Sequence, residues 1–230
     1  MNGSRDLSAE FARLGPWVYQ FEVAGKTYGG GISAVGDLRV ERFFRYAPNA
    51  TTILELGALE GAHSFIFAKR PGVKRVVSLE GRESNLRKAR FIQELLEIRN
   101  VEFAEANLEH ADLKQFGKFD AVFCCGLLYH LPAPWQLLEQ LPAIAPLVFI
   151  WTQYAAEDEA SDIDEGLRGK TQIEGGADEA LSGMSPTATW LTLPSLRDLL
   201  SASGYTSVDV IHDDPAHPNG PAVTIGARSR

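Results

Sequence analysis

The sequence predicts an α/β fold: a doubly wound, mostly parallel sheet of about seven strands with an antiparallel last strand. Three features carry that expectation. From about Thr51 onward, short apolar stretches alternate with amphipathic ones in the rhythm of strand and helix. Two strand candidates, "FDAVFCCG" and "PLVFIWT", are apolar almost throughout, as strands covered on both faces are. The last two strand candidates are joined only by "HDDPAHPNG", too short for a crossover and suited to an antiparallel pair.

Residues 1–50 read as an accessory segment ahead of a domain over 51–230. "LSAEFARL" has helical spacing, "WVYQFEV" alternates like a half-exposed strand, and "AGKT" is a hairpin turn. Gly29, Gly30 and Gly31 form a hinge before a helix from about Val35 to Tyr46. The domain then runs "TILEL" strand, "AHSFIFAK" helix, "RVVSLE" strand and "SNLRKARFIQELLEI" helix, the last with Leu86, Ala89, Ile92, Leu95 and Leu96 along one side. "VEFAE" and "FDAVFCCG" are strands, "PWQLLEQL" a short helix with Pro134 in its first turn, and "PLVFIWT" a strand. The stretch from about 154 to 189 is acidic and glycine-bearing, and reads as an irregular, lid-like insertion facing substrate. "PSLRDLLSASG" is a helix closed by Gly204, followed by the strands "YTSVDVI" and "PAVTIGA".

The chain has 230 residues, 45% of them hydrophobic and 23% charged, enough for one sizeable core. A formal net charge of -8 gathers no phosphate backbone, which argues against a nucleic-acid partner. No apolar run approaches bilayer-spanning length, and "MNGSRDLSAEFARLG" lacks the apolar core of a secretory leader, so no membrane association is expected. Cys124 and Cys125 are neighbours on one strand and point to opposite faces, which suits reduced thiols in a cytoplasmic protein.

The candidate site starts at "ILELGALEGAHS", a strand turning into a helix through Gly57 and Gly61. In a doubly wound sheet this turn meets a nucleotide-like ligand, and its glycines let the backbone approach closely. Glu55 and Glu60 flank it. A pyrophosphate at that helix N-terminus would be repelled by Glu60, so a cationic ligand fits better, and S-adenosylmethionine is cationic and carries no phosphate. Glu60 has a second reading, as a helix N-terminal charge that complements the dipole. Glu80 ends the next strand, where a carboxylate takes two ribose hydroxyls. Asn107 ends the third, with an amide for the adenine edge, and Leu108 packs on the ring. Backbone carbonyls near Cys125 and Gly126 suit the methionine ammonium.

At this point "ELGALEG", "LE" at 79–80, "EANLE" and "FDAVFCCGLLYHLPAPWQLLEQL" resemble the class I S-adenosylmethionine-dependent methyltransferases, over roughly residues 50 to 152. "GLLYHLPAPW" is similar to the "GvLYHL" enzymes, which include small-molecule methyltransferases and a carboxymethyltransferase-like group acting on the tRNA wobble uridine. The resemblance implies a Rossmann-like domain using S-adenosyl-L-methionine. It implies that Glu55, Gly57, Ala58 and Gly61 line the methionine end, that Glu80 and Gly81 meet the ribose, and that Asn107 and Leu108 lie beside the adenine. Leu59 stands where the family's middle loop glycine is usual, and Asn107 where an aspartate is common.

His130 is placed at the mouth of the site as a general base for an oxygen or nitrogen nucleophile, with Tyr129 as a hydroxyl beside it. The structural reading is that His130 caps the next helix or bonds within its loop. No metal site is expected, because "CCGLLYHL" lacks the acidic ligands of magnesium-dependent relatives. Trp17, Tyr19, Tyr28, Trp151, Gln153, Tyr154, Met184 and Trp190 are candidate walls of the acceptor pocket. Arg82, Arg87, Lys88 and Arg90 read as a solvated helix face, and "AEDEASDIDEG" as a mobile acidic loop. The expected activity is metal-independent methyl transfer to an oxygen or nitrogen of a small molecule. A tRNA-modifying enzyme, an NAD-type dehydrogenase and a non-catalytic cofactor binder are the alternatives. The expected partner is a small-molecule methyl acceptor, with a homodimer as an open alternative to a monomer.

Overall fold

The structure, a computed structural model, describes residues 6–164, 166–177 and 179–229. Residues 1–5 of the accessory segment, and Glu165 and Asp178 of the insertion, lie outside the described residues. Asp6 caps helix α1 (Leu7–Leu14) by accepting from the N–H of Ala9. Strands β1 (Gln20–Val23) and β2 (Lys26–Gly29) form a hairpin turning at Ala24 and Gly25, both at positive φ. Helix α2 (Leu38–Tyr46) starts later than its apolar spacing suggests, because Asp37 caps it and Gly36 is left-handed.

The domain core follows as β3 (Thr52–Leu56), α3 (Ala62–Lys69), β4 (Arg75–Glu80), α4 (Glu83–Leu95), β5 (Val101–Glu105), β6 (Ala121–Cys125), α5 (Pro134–Leu138) and β7 (Leu147–Gln153). Next come β8 (Ser161–Asp164), β9 (Leu167–Ile173), β10 (Thr187–Leu191), α6 (Leu193–Ser203), β11 (Ser207–Asp214) and β12 (Ala222–Arg228). The main sheet has seven strands in the order β11-β12-β7-β6-β3-β4-β5. Strands β3 to β7 pair in parallel, and β12 runs antiparallel between β7 and β11. This is the Rossmann-like doubly wound sheet with its reversed last strand. Its winding changes direction between β3 and β6, which is where such sheets hold ligands.

Alternate strand residues go to opposite faces, so the sheet has two cores. Leu54, Leu56, Leu79 and Cys124 pack with α5 and α6 on one face. Ile53, Val76, Phe123 and Phe149 pack against α2 and α3 on the other, where Phe43 meets Phe67, Phe123 and Phe149 at ring distances of 5.3–5.7 Å. The accessory segment is fastened by a third cluster, in which Phe11 and Phe21 pack with Phe65 and Phe91 of α3 and α4.

The insertion differs from the irregular connection expected. Strands β10-β9-β8 form a small antiparallel sheet, and Arg168 and Lys170 of β9 pair with Glu157 and Glu159. Ser161–Asp164, within the "AEDEASDIDEG" stretch, is therefore one arm of a hairpin. Its strands carry few apolar residues, so the ladder that orders them is invisible in hydrophobic periodicity.

Candidate active site

The carboxyl ends of β5, β4, β3, β6 and β7 open on a cavity of about 520 Å³, a size that encloses a small organic ligand. Gly57 (φ 79°) ends β3, and its N–H and that of Ala58 both donate to the carbonyl of Leu79. Leu59, in the place of the usual glycine, holds φ 49°. A non-glycine residue in that region costs about 1–3 kcal/mol and needs a local restraint. The restraint is Glu80, whose Oε2 accepts from the Leu59 N–H at 2.8 Å.

Glu80 Oε1 accepts from the N–H of Arg82 at 2.9 Å and from Asn85. Burial raises the Glu80 carboxyl above its ordinary range against the pull of these donors. These three donors leave acceptor capacity chiefly on Oε2, and Glu80 and Gly81 both line the cavity. At the end of β5, Asn107 Oδ1 accepts from the Glu109 N–H at 3.0 Å, leaving the amide N–H donors free of that turn, and Leu108 lines the wall beside it. Cys125 and Gly126 line the end of β6, with Gly126 at φ 79°.

Two expected wall residues lie elsewhere. Glu55 is 1% exposed and sits beneath the loop, accepting from the hydroxyls of Ser64 and Ser78. It ties β3, α3 and β4 together instead of facing the cavity. Gly61 begins α3 at φ 78°, and a Cβ there would stand 2.7 Å from the ring of Phe103, so its glycine serves packing.

Glu60 also corrects the charge argument. It is 0% exposed, accepts from the N–H groups of Val18 and Tyr19, and pairs with the buried Lys88. It does not line the cavity. Its charge cannot exclude a diphosphate, because the lysine neutralises it inside the protein. Lys88 leaves the expected solvated face, and so does Arg82, which donates to the carbonyls of Gly176, Ala177, Ser182 and Gly183. Arg87 and Arg90 are exposed as expected.

At the other end, His130 Nδ1 lies 2.9 Å from Glu174 Oε2. Burial lowers the His130 pKa below 6.5, against the raising effect of Glu174. Burial would raise Glu174 in turn, but the Ser182 hydroxyl, the Gly183 N–H and His130 together hold it below its ordinary value. A neutral His130 therefore donates its Nδ1–H hydrogen bond to the carboxylate, which leaves Nε2 as the ring's acceptor. Burial pushes the Tyr129 phenol up to about 12, so it acts as a neutral hydroxyl. Tyr19, Trp151, Gln153 and Met184 line the cavity as anticipated. Trp17 and Tyr28 belong to the accessory core, Tyr154 bonds Asp213, and Trp190 stands behind Tyr129, donating to its carbonyl.

Sequence reasoning missed Arg39, Asp37, His63 and Glu174. Arg39 and His63 line the cavity, with Asp37 bonded to both. Only the capping signal of Asp37 was readable; the contact to His63 spans a separation that no local pattern reports. Among the described residues, no group of three or more His, Cys, Asp or Glu side chains could hold a metal ion, and no helix is long and apolar enough to cross a membrane.

A family model for a methyltransferase domain matches residues 48–161. The N-terminal domain of EvdMO1, crystallised in the presence of SAH and D-fucose, is 34% identical, with 100% of this chain and 98% of that one covered and a TM-score of 0.88. The same domain with SAH bound matches at 34% identity, the same coverage and a TM-score of 0.86. The chain spans 48% of the longer EvdMO1 structure, at 31% identity over 98% of its own length and a TM-score of 0.75. A Burkholderia thailandensis 1,6-didemethyltoxoflavin-N1-methyltransferase, 17% identical over 86% of this chain and 79% of that one with a TM-score of 0.60, shares the fold. No curated protein matches the chain. SAH is the demethylated product of S-adenosylmethionine, so the cofactor follows from the relatives where the charge of Glu60 could not supply it. A glycine loop over the switch point, a carboxylate at the second strand end and this full-length likeness have one common explanation: the chain belongs to the class I S-adenosylmethionine-dependent methyltransferases.

Proposed function

We propose that the protein methylates a hydroxyl oxygen of a small, polar, sugar-like acceptor without a metal ion, with His130 as general base. The observation that carries this reading is the Glu174 carboxylate on Nδ1 of His130, a residue that lines the cavity, because it fixes the tautomer and leaves Nε2 as the free acceptor. Bound S-adenosylmethionine supplies a methyl group on a sulfonium, which a nucleophile takes by in-line displacement.

The residues present fit that cofactor. Glu80 would hold the ribose hydroxyls, the Asn107 amide and Leu108 the adenine, and Gly57, Ala58, Cys125 and Gly126 the amino-acid end. His130 takes the hydroxyl proton at Nε2 as the acceptor oxygen forms its new bond, and Glu174 stabilises the imidazolium produced. Tyr129 donates a hydrogen bond without titrating. The rest of the task is positioning.

A sugar-like acceptor is supported by the polar and aromatic groups beyond His130. Trp151, Gln153 and Asn219 line the same cavity, where the Gln153 amide donates to the Asn219 carbonyl. The relative crystallised with D-fucose points to the same chemistry. The insertion over 154–189 would serve as a lid, since Arg82 and His130 both hold it against the cavity.

The test is SAH release from S-adenosylmethionine with D-fucose, other 6-deoxyhexoses and their methyl glycosides, compared with small amines and thiols, with and without EDTA. Turnover of a hydroxylated sugar that EDTA leaves unchanged, with the mass gain of one methylene on oxygen, is expected. Turnover confined to amines or thiols, or lost with EDTA, overturns the reading.

A further inference from the structure

We infer that Arg39 recognises the carboxylate of the cofactor's amino-acid tail, and that Asp37 and His63 are the positioning residues that hold it there. This does not depend on which acceptor is methylated.

The strand order lays out the ligand. Parallel strands lie about 4.8 Å apart, so the ends of β4 and β6 are about 10 Å apart across β3. With the ribose at Glu80, an extended tail passes the Gly57 loop and brings its charged end to Gly126. Two arginines line the cavity. Arg82 is turned to backbone carbonyls of the insertion at the nucleoside end. Arg39 is the guanidinium at the β6 end, where its Nη1 would stand 3.9 Å from a Cβ on Gly126.

Arg39 is also built to hold an anion. Its Nε and Nη2 form a fork with Asp37, at 3.0 Å to Oδ1 and 2.5 Å to Oδ2. Asp37 Oδ2 lies 3.0 Å from His63 Nε2, and His63 Nδ1 lies 3.8 Å from Glu55 beneath the glycine loop. The guanidinium carbon sits 5.2 Å from the Trp151 ring centre, and the Tyr19 hydroxyl is beside it. The Asp37 fork and the Trp151 ring fix the plane, while Nη1 has no carboxylate or carbonyl partner among the described residues. A rigid guanidinium held by Asp37, with the Tyr19 hydroxyl as its further side-chain hydrogen-bond partner, still has N–H donors to give a carboxylate. Through His63 and Asp37, the same network joins the floor of the glycine loop to the group at its far end.

Isothermal titration with two ligands tests this: SAH, which has the amino-acid tail, and 5′-methylthioadenosine, which lacks it. In Arg39→Gln, SAH binding should weaken about 10- to 100-fold, the range for a charge-assisted hydrogen bond, while 5′-methylthioadenosine stays within about two-fold of wild type. Asp37→Asn should weaken SAH less, again without moving 5′-methylthioadenosine, and Arg39→Lys should recover only part of the loss. Unchanged 5′-methylthioadenosine binding also shows that the variants are folded. Equal weakening of both ligands would make Arg39 a packing residue. Unchanged SAH affinity with a raised acceptor KM would assign it to the acceptor. Either result overturns the inference, and wild-type SAH binding separates both from a failure of the cofactor assignment.

Discussion

Lys88 Nζ lies 3.0 Å from Glu60 Oε1, with the two side chains 7% and 0% exposed. The pair joins α4 to the turn before α3, and Glu60 passes the connection on to the backbone of Val18 and Tyr19. Since Val18 and Tyr19 line the cavity, the ion pair positions one of its walls.

Lys88→Met should therefore destabilise the protein by about 3–5 kcal/mol, because Glu60 would remain as a buried charge without its counter-ion. The urea midpoint measures this. Adding Glu60→Leu should cost less than the sum of the single changes, since the two residues share one interaction. Additive losses would mean that the pair is not coupled.

His130→Ala should lower kcat by about 10²- to 10⁴-fold while leaving SAH affinity in place. The base works as neutral imidazole, so kcat/KM should fall as pH drops through the His130 pKa, which burial sets below 6.5. Glu174 raises that pKa, so in Glu174→Gln the acid limb should move to lower pH while the plateau rate falls. A pH–rate profile of wild type and Glu174→Gln decides it, and an acid limb that does not move would remove His130 from proton transfer.

Glu80→Gln should weaken SAH by about 10- to 100-fold. One acceptor oxygen would be lost, and the new amide would face an N–H donor from Leu59 or Arg82. Titration calorimetry reads the affinity. The left-handed Leu59 should also loosen, which faster amide exchange at Leu59 would report.

Gly61→Ala should cost about 2 kcal/mol or more without direct contact to ligand. Its φ of 78° and the Phe103 ring 2.7 Å from the new Cβ both oppose the change. Thermal unfolding measures the loss. A stability equal to wild type would mean that Phe103 moves freely.

Periodicity, turn residues and apolar runs determined the architecture by themselves: the strand–helix alternation from β3 to β7, the reversed β12 and the loop at Gly57 are local patterns, and local patterns are written in neighbouring residues. The same patterns pointed to Glu80, Asn107 and Gly126, which stand at or just past strand ends, and to His130 in the turn that follows β6. Only the tertiary structure decided what the charges do. Glu60 and Glu55 turned inward, Lys88 and Arg82 left the solvent, His63 met Asp37 across 26 residues and Glu174 met His130 across 44, and Arg39 and Asp37 formed an unforeseen fork. A carboxylate reads the same in sequence whether it faces water, a ligand or a buried lysine; its environment comes from packing between distant elements, and packing is settled in three dimensions.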